Sequence, residues 1–102
     1  MDFGGMIRNA RTEKGWTVKE FIERMTADGS TRISPAYVTR VEQYREIPSP
    51  EMVARMAEVL EIELEPLVAA AKQNKMESFK ERLDAKYGEA AIFYRKVNKR
   101  GR

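Results

Sequence analysis

Three helix-start devices in the first half of this chain leave little room for anything but helices. Thr17-Val18-Lys19-Glu20 is a capping box: the Thr17 hydroxyl accepts the N3 backbone N–H, and the Glu20 carboxylate reaches back to the Thr17 N–H. Ser34-Pro35 and Ser49-Pro50 each set a favoured N-cap before a proline at the first helical position, where the fixed φ suits a helix and no N–H is needed. Apolar residues then recur at helical spacing: Phe21, Ile22 and Met25; Tyr37, Val38 and Val41; Met52, Val53, Met56, Ala57 and Leu60. Phe3, Met6, Ile7 and Ala10 predict an earlier helix, closed by Gly15 at the position that favours a left-handed backbone. Glu63 to Asn74 predicts a fifth, with Pro66 in its first turn. No stretch alternates β-branched and polar residues between turn dipeptides, so no strand is expected.

Met76, Phe79, Leu83 and Tyr87 form a further stripe, ended by Gly88. A last stretch, Glu89 to Asn98, carries Ala91, Ile92, Tyr94 and Val97. The fold class is all-α. The expected organisation is a compact body over residues 1–73 and an arm over 74–102, a helical hairpin or a single arm, jointed at Asn74 and Lys75. A chain of 102 residues supports one modest core.

Composition narrows the chemistry. Without Cys there is no disulfide, thiolate nucleophile or Cys-based metal site, and without His the commonest general base and transition-metal ligand are gone. No EF-hand spacing, Gly-rich phosphate loop or distinctive carboxylate pair is present. Neither an enzyme nor a cofactor or metal is expected. The longest apolar runs, Leu67–Ala71 and Ala90–Tyr94, are too short to span a bilayer. The start lacks the basic and apolar regions of a signal peptide, so a cytoplasmic setting is expected. The net charge of +3 divides unevenly: residues 1–62 carry 9 basic and 10 acidic groups, residues 63–102 carry 10 and 6. Five basic groups lie in the last eight residues, so global charge alone says little about nucleic acid.

The order of the signals is more specific than any one of them. The chain reads Ile7-x-x-Ala10-Arg11-x-x-x-Gly15-Trp16-Thr17-x-x-Glu20-Phe21, then Ile33-Ser34-Pro35-Ala36-Tyr37-Val38-Thr39-Arg40-Val41-Glu42, then Pro48-Ser49-Pro50-Glu51-Met52-Val53 and Ala57-Glu58-Val59-Leu60-Glu61-Ile62. Over roughly residues 3–70 it resembles the lambda-repressor-like, Cro-type helix-turn-helix family. The resemblance implies a five-helix lambda-repressor-like bundle, here with a C-terminal helical extension, whose third helix lies in the DNA major groove. It further implies a sequence-specific regulator of transcription, usually a dimeric repressor. Arg11 and Glu42 match positions where the family ties its first helix to its third by a charge pair. Three features depart from the family pattern: the long turn Thr26 to Ile33, Tyr44 where the family places glycine, and apolar Pro35-Ala36 at the first reading positions.

Helical periodicity supports groove docking independently. It turns Val38 and Val41 inward and leaves Ala36, Thr39, Arg40 and Gln43 outward, with Tyr37 at the margin. Arg40 suits guanine O6 and N7, while Ala36 and the Thr39 methyl suit thymine methyls. Thr17 and the free N–H groups of its helix suit a phosphate, as do Lys19, Arg32 and Arg45. With Ser34 these make the candidate DNA-binding set: Thr17, Lys19, Arg32, Ser34, Ala36, Tyr37, Thr39, Arg40, Gln43 and Arg45. Residues 32–45 carry three arginines against Glu42, and residues 46–65 carry six glutamates against Arg55. Plainer roles stand beside these: Thr17 as a cap, Tyr37 as a packing residue, Arg40 as a surface arginine, Trp16 as a core or rim anchor.

The stripe on the arm must be buried, either on its own body or on a second subunit. The second gives a homodimer through Met76, Phe79, Leu83, Tyr87, Ile92 and Tyr94, and dimers double the base pairs read. The tail Arg95–Arg102 is either a solubilising end or a phosphate-binding arm. The partner implied is double-stranded DNA. The rival is an antitoxin-like or adaptor protein on the same fold with little specific DNA binding.

Overall fold

A computed structural model describes residues 1–100, with side chains to Val97. Gly101 and Arg102 of the basic tail, and the side chains of Asn98, Lys99 and Arg100, lie outside the described residues. The helices are α1 (Phe3–Glu13), α2 (Val18–Met25), α3 (Pro35–Gln43), α4 (Pro50–Leu60) and α5 (Leu64–Arg100).

Each start signal operates. The Thr17 hydroxyl accepts from the Glu20 N–H at 3.1 Å, and Glu20 Oε1 accepts from the Thr17 N–H at 3.3 Å. Ser34 accepts from the Tyr37 N–H at 3.1 Å and Ser49 from the Met52 N–H at 3.3 Å. Asp2 caps α1 from the Gly5 N–H at 2.8 Å. Gly15 closes α1 at φ 73°, letting the Trp16 N–H reach the Arg11 carbonyl at 3.2 Å.

The core joins Phe3 and Ile7 of α1, Phe21 and Met25 of α2, Val38 and Val41 of α3, Met56 and Leu60 of α4, and Leu67 of α5. Burying each such side chain contributes roughly 1.5–3 kcal/mol. Helix α1 is the hub, packing on α3, α4 and α5. It crosses α3 so closely that a Cβ on Gly4 would fall on the Val41 carbonyl oxygen and lie 2.8 Å from that of Glu42.

The arm departs from the expected joint and hairpin. Helix α5 is continuous over 37 residues and passes Asn74, Lys75 and Gly88 without a break. Gly88 keeps a negative φ, unlike Gly15 and Gly29, so it is a helix-interior glycine costing about 1 kcal/mol rather than a stop. Asn74 is a clamp: its Oδ1 accepts the Phe3 N–H at 2.9 Å, satisfying an orphan donor at the start of α1. From Phe79 to Val97 every α5 residue is exposed. The long axis is 67 Å and the radius of gyration 19.2 Å, against about 13 Å for a globule of this length.

Candidate nucleic-acid interface

Helix α3 is fixed from beneath by a buried ion pair. Arg11 donates from Nε to Glu42 Oε2 at 2.9 Å, from Nη2 to Oε1 at 3.0 Å, and from Nη1 to the Trp16 carbonyl at 2.7 Å. The two side chains are 11% and 3% exposed. The family-matched pair is therefore structural, joining α1, α3 and the entry to α2. Trp16 is a rim residue, half-buried, with the Arg24 guanidinium 4.7 Å and Lys14 Nζ 5.4 Å from its ring centre.

With Val38 and Val41 each 1% exposed, the opposite face of α3 is the open one. Ser34, Ala36, Arg40 and Gln43 are exposed, and Tyr37 and Thr39 are half-buried. Arg40 sits 5.8 Å from the Tyr37 ring centre and donates from Nε to Glu46 Oε1 at 2.9 Å. Glu46, one of the six glutamates of residues 46–65, thus sits beside Arg40 on the open side of α3. Burial raises the Tyr37 phenol pKa and Glu46 adds to the rise, with Arg40 opposing it. Tyr37 therefore stays a neutral donor.

The end of α3 resolves the departure at Tyr44. The left-handed residue is Arg45, at φ 62°, while Tyr44 keeps φ −116° and is 71% exposed. An arginine tolerates that backbone poorly, yet the turn brings the Glu46 N–H to the Arg40 carbonyl at 3.1 Å. Arg45 faces Glu81 of α5 at 3.6 Å. Both this pair and Arg40–Glu46 are solvent-exposed, a class worth about 0–1 kcal/mol, so either pair opens at little cost.

At the start of α2, Thr17 and Lys19 are exposed, but the Glu20 carboxylate already occupies the Thr17 N–H. A phosphate there would meet the next N–H groups instead. The long turn is tied to α4. Arg55 donates to the Met25 carbonyl from Nε at 3.3 Å and Nη2 at 3.2 Å, and Nη2 pairs with Asp28 Oδ2 at 3.2 Å. Asp28 Oδ1 accepts the Ser30 N–H at 2.9 Å and hydroxyl at 2.7 Å, so Ser30 is engaged within the turn. These bonds hold the Asp28 carboxyl below the usual range, the Ser30 N–H first, then its hydroxyl, with burial opposing them and the Arg55 charge assisting less strongly. Ile33 returns to the core and Arg32 stays exposed. Sequence reasoning missed Glu46, Arg55, Asn74 and Gly4, none of which carries a local motif.

The sequence matches the family model described as helix-turn-helix over residues 7–67, more than half of the chain. No curated protein and no solved structure matches it.

Proposed function

Because the chain belongs to the lambda-repressor-like helix-turn-helix family, a DNA-binding and transcription-regulating family that is generally non-enzymatic, we propose that it is a sequence-specific repressor reading the major groove with α3. The observation that carries this reading is the division of α3: both valines buried, and Ala36, Arg40 and Gln43 open on one face. Arg40 reads guanine, Ala36 and Thr39 meet thymine methyls, and Lys19, Arg32, Ser34, Tyr37 and Arg45 hold phosphates. The protein has no enzymatic activity of its own and works in the cytoplasm; no described helix is long and apolar enough to cross a membrane. Binding to DNA upstream of its own gene tests the reading. It should be nanomolar, exceed binding to bulk DNA by at least about a thousandfold, and weaken steeply with salt. Weak binding indifferent to sequence would instead favour the adaptor.

We further propose that residues 74–102 are a pairing arm and that the protein acts as a homodimer. Met76, Phe79, Leu83, Tyr87 and Tyr94 are exposed along one side of α5. Ile92 departs from the expected set: it follows Met76 by 16 residues, about 160° round at roughly 100° per residue. Met76, Leu83, Ala90 and Val97 recur every seven residues, the repeat that keeps a seam facing a second helix. Leu83→Glu should convert a sedimenting dimer to monomer; an unchanged mass ratio would refute the pairing.

A further inference from the structure

Beside the reading helix, the α3–α4 loop and α5 wall an open cleft of about 770 Å³. Arg45 enters it from the loop, and Lys75, Ser78, Phe79, Glu81 and Arg82 from α5. Three cations face one carboxylate. That carboxylate, Glu81, pairs with Arg45 at 3.6 Å, and both side chains are about two-thirds exposed. Lys75 and Arg82 are exposed, seven residues apart, and so share one face of α5. They lie two turns apart, about 10.5 Å, against one phosphate per roughly 3.4 Å of duplex axis on each strand. They therefore reach different phosphates. Met76 and Leu83 each follow one residue later, about 100° round the helix, so Lys75 and Arg82 flank the apolar seam rather than lie on it, while Phe79 is shared by the seam and the cleft wall.

We infer that this cleft is a second DNA contact, in which Lys75 and Arg82 of the arm join Arg45 on the phosphate backbone flanking the bases read by α3. The inference rests on the DNA-binding reading and extends it, since the reading alone assigns no part of α5 to DNA. Arg45, five residues after Arg40 and just past the end of α3, lines the cleft, so the cleft adjoins the C-terminal end of the helix that carries Arg40. The contact is to phosphate only. It adds affinity and salt dependence and carries no base preference.

The test is the salt slope of binding to a random-sequence duplex of about 30 base pairs, followed by fluorescence anisotropy between roughly 50 and 200 mM salt. Each lost phosphate contact lowers the slope by about 0.9, so Lys75→Ala/Arg82→Ala should lower it by about 1.8. Across that range the variant then loses roughly 12-fold less affinity than the wild type. Base preference should not change, and Glu81→Gln should bind several-fold tighter by releasing Arg45. Lys75→Glu/Arg82→Glu should weaken binding further, with the thermal melt of each variant confirming the fold. A slope unchanged in the double variant, while Arg40→Ala still weakens binding to the specific upstream DNA more than to the random duplex, overturns the cleft and leaves the reading helix standing. A wild type without salt-dependent binding overturns both.

Discussion

Replacing Arg11 with alanine removes three charge-assisted hydrogen bonds from beneath α3 and leaves two buried acceptors without donors. Glu42, 3% exposed, is left with no cation beside it, and the Trp16 carbonyl loses the donor at 2.7 Å. Breaking a buried pair from one side costs about 3–5 kcal/mol, most of it from the stranded charge. For a domain of this size, each kcal/mol moves Tm by about 4–8 °C. The melt should therefore fall by roughly 12 °C or more. Trp16 is the sole tryptophan and sits at the pair, so its fluorescence reports the bundle separately from the helical signal of the arm. Glu42→Ala should cost less, because it strands a cation with a longer reach to solvent. Arg11→Met/Glu42→Met should recover most of the loss, since well-packed apolar replacements of a buried pair are often neutral. Urea unfolding that places Arg11→Ala within about 1 kcal/mol of wild type would refute the buried-pair argument.

Four further outcomes are expected. Arg40→Ala should lower specific DNA affinity by about 1–3 kcal/mol and relax preference at one base pair; equal loss on all sequences reassigns Arg40 to phosphate, and no loss removes it from the interface. Gly4→Ala should destabilise by at least the roughly 1–3 kcal/mol of overpacking, read by the same melt, because its Cβ meets the α3 backbone rather than a yielding side chain. Gly88→Ala should raise α5 stability by about 1 kcal/mol, seen as increased helical ellipticity, as nothing lies within 4 Å of the added methyl. Asp28 has a folded pKa below that of the unfolded chain, so its stabilising effect is complete above about pH 4 and is lost as pH falls through the folded value. The gap in urea midpoint between wild type and Asp28→Ala should therefore be present at neutral pH and close in acid; a gap constant with pH would refute the linkage.

The parts of this fold that were legible in the sequence are those whose cause is local. Thr17, Ser34 and Ser49 cap because the donors they satisfy lie two or three residues away, and the inward face of α3 follows from the spacing of Val38 and Val41. The stop at Gly88 and the joint at Asn74-Lys75 do not occur: both look like punctuation, whereas a glycine inside a helix costs only about 1 kcal/mol. Asn74 owes its role to Phe3, 71 residues away, and Arg55 owes its role to the end of α2; neither distance leaves a periodic mark. Glu46 and Glu81 left no periodic mark either, although they pair with Arg40 and Arg45.

The long turn shows what sets the angle of α3. In a helix-turn-helix a short turn restricts how the third helix leaves the second, and Thr26 to Ile33 gives up that restriction. Helix α1 supplies another. Gly4 lets the α1 backbone approach the carbonyls of Val41 and Glu42, and Arg11 grips the Glu42 carboxylate with both oxygens engaged. These contacts lie two turns apart on α1 and meet the C-terminal half of α3, so together they fix both its position and its rotation. Arg55 meanwhile holds the first part of the turn against α4. The turn can therefore lengthen without moving Arg40, because the position of the open face of α3 is carried by the α1–α3 crossing rather than by the connection that precedes it.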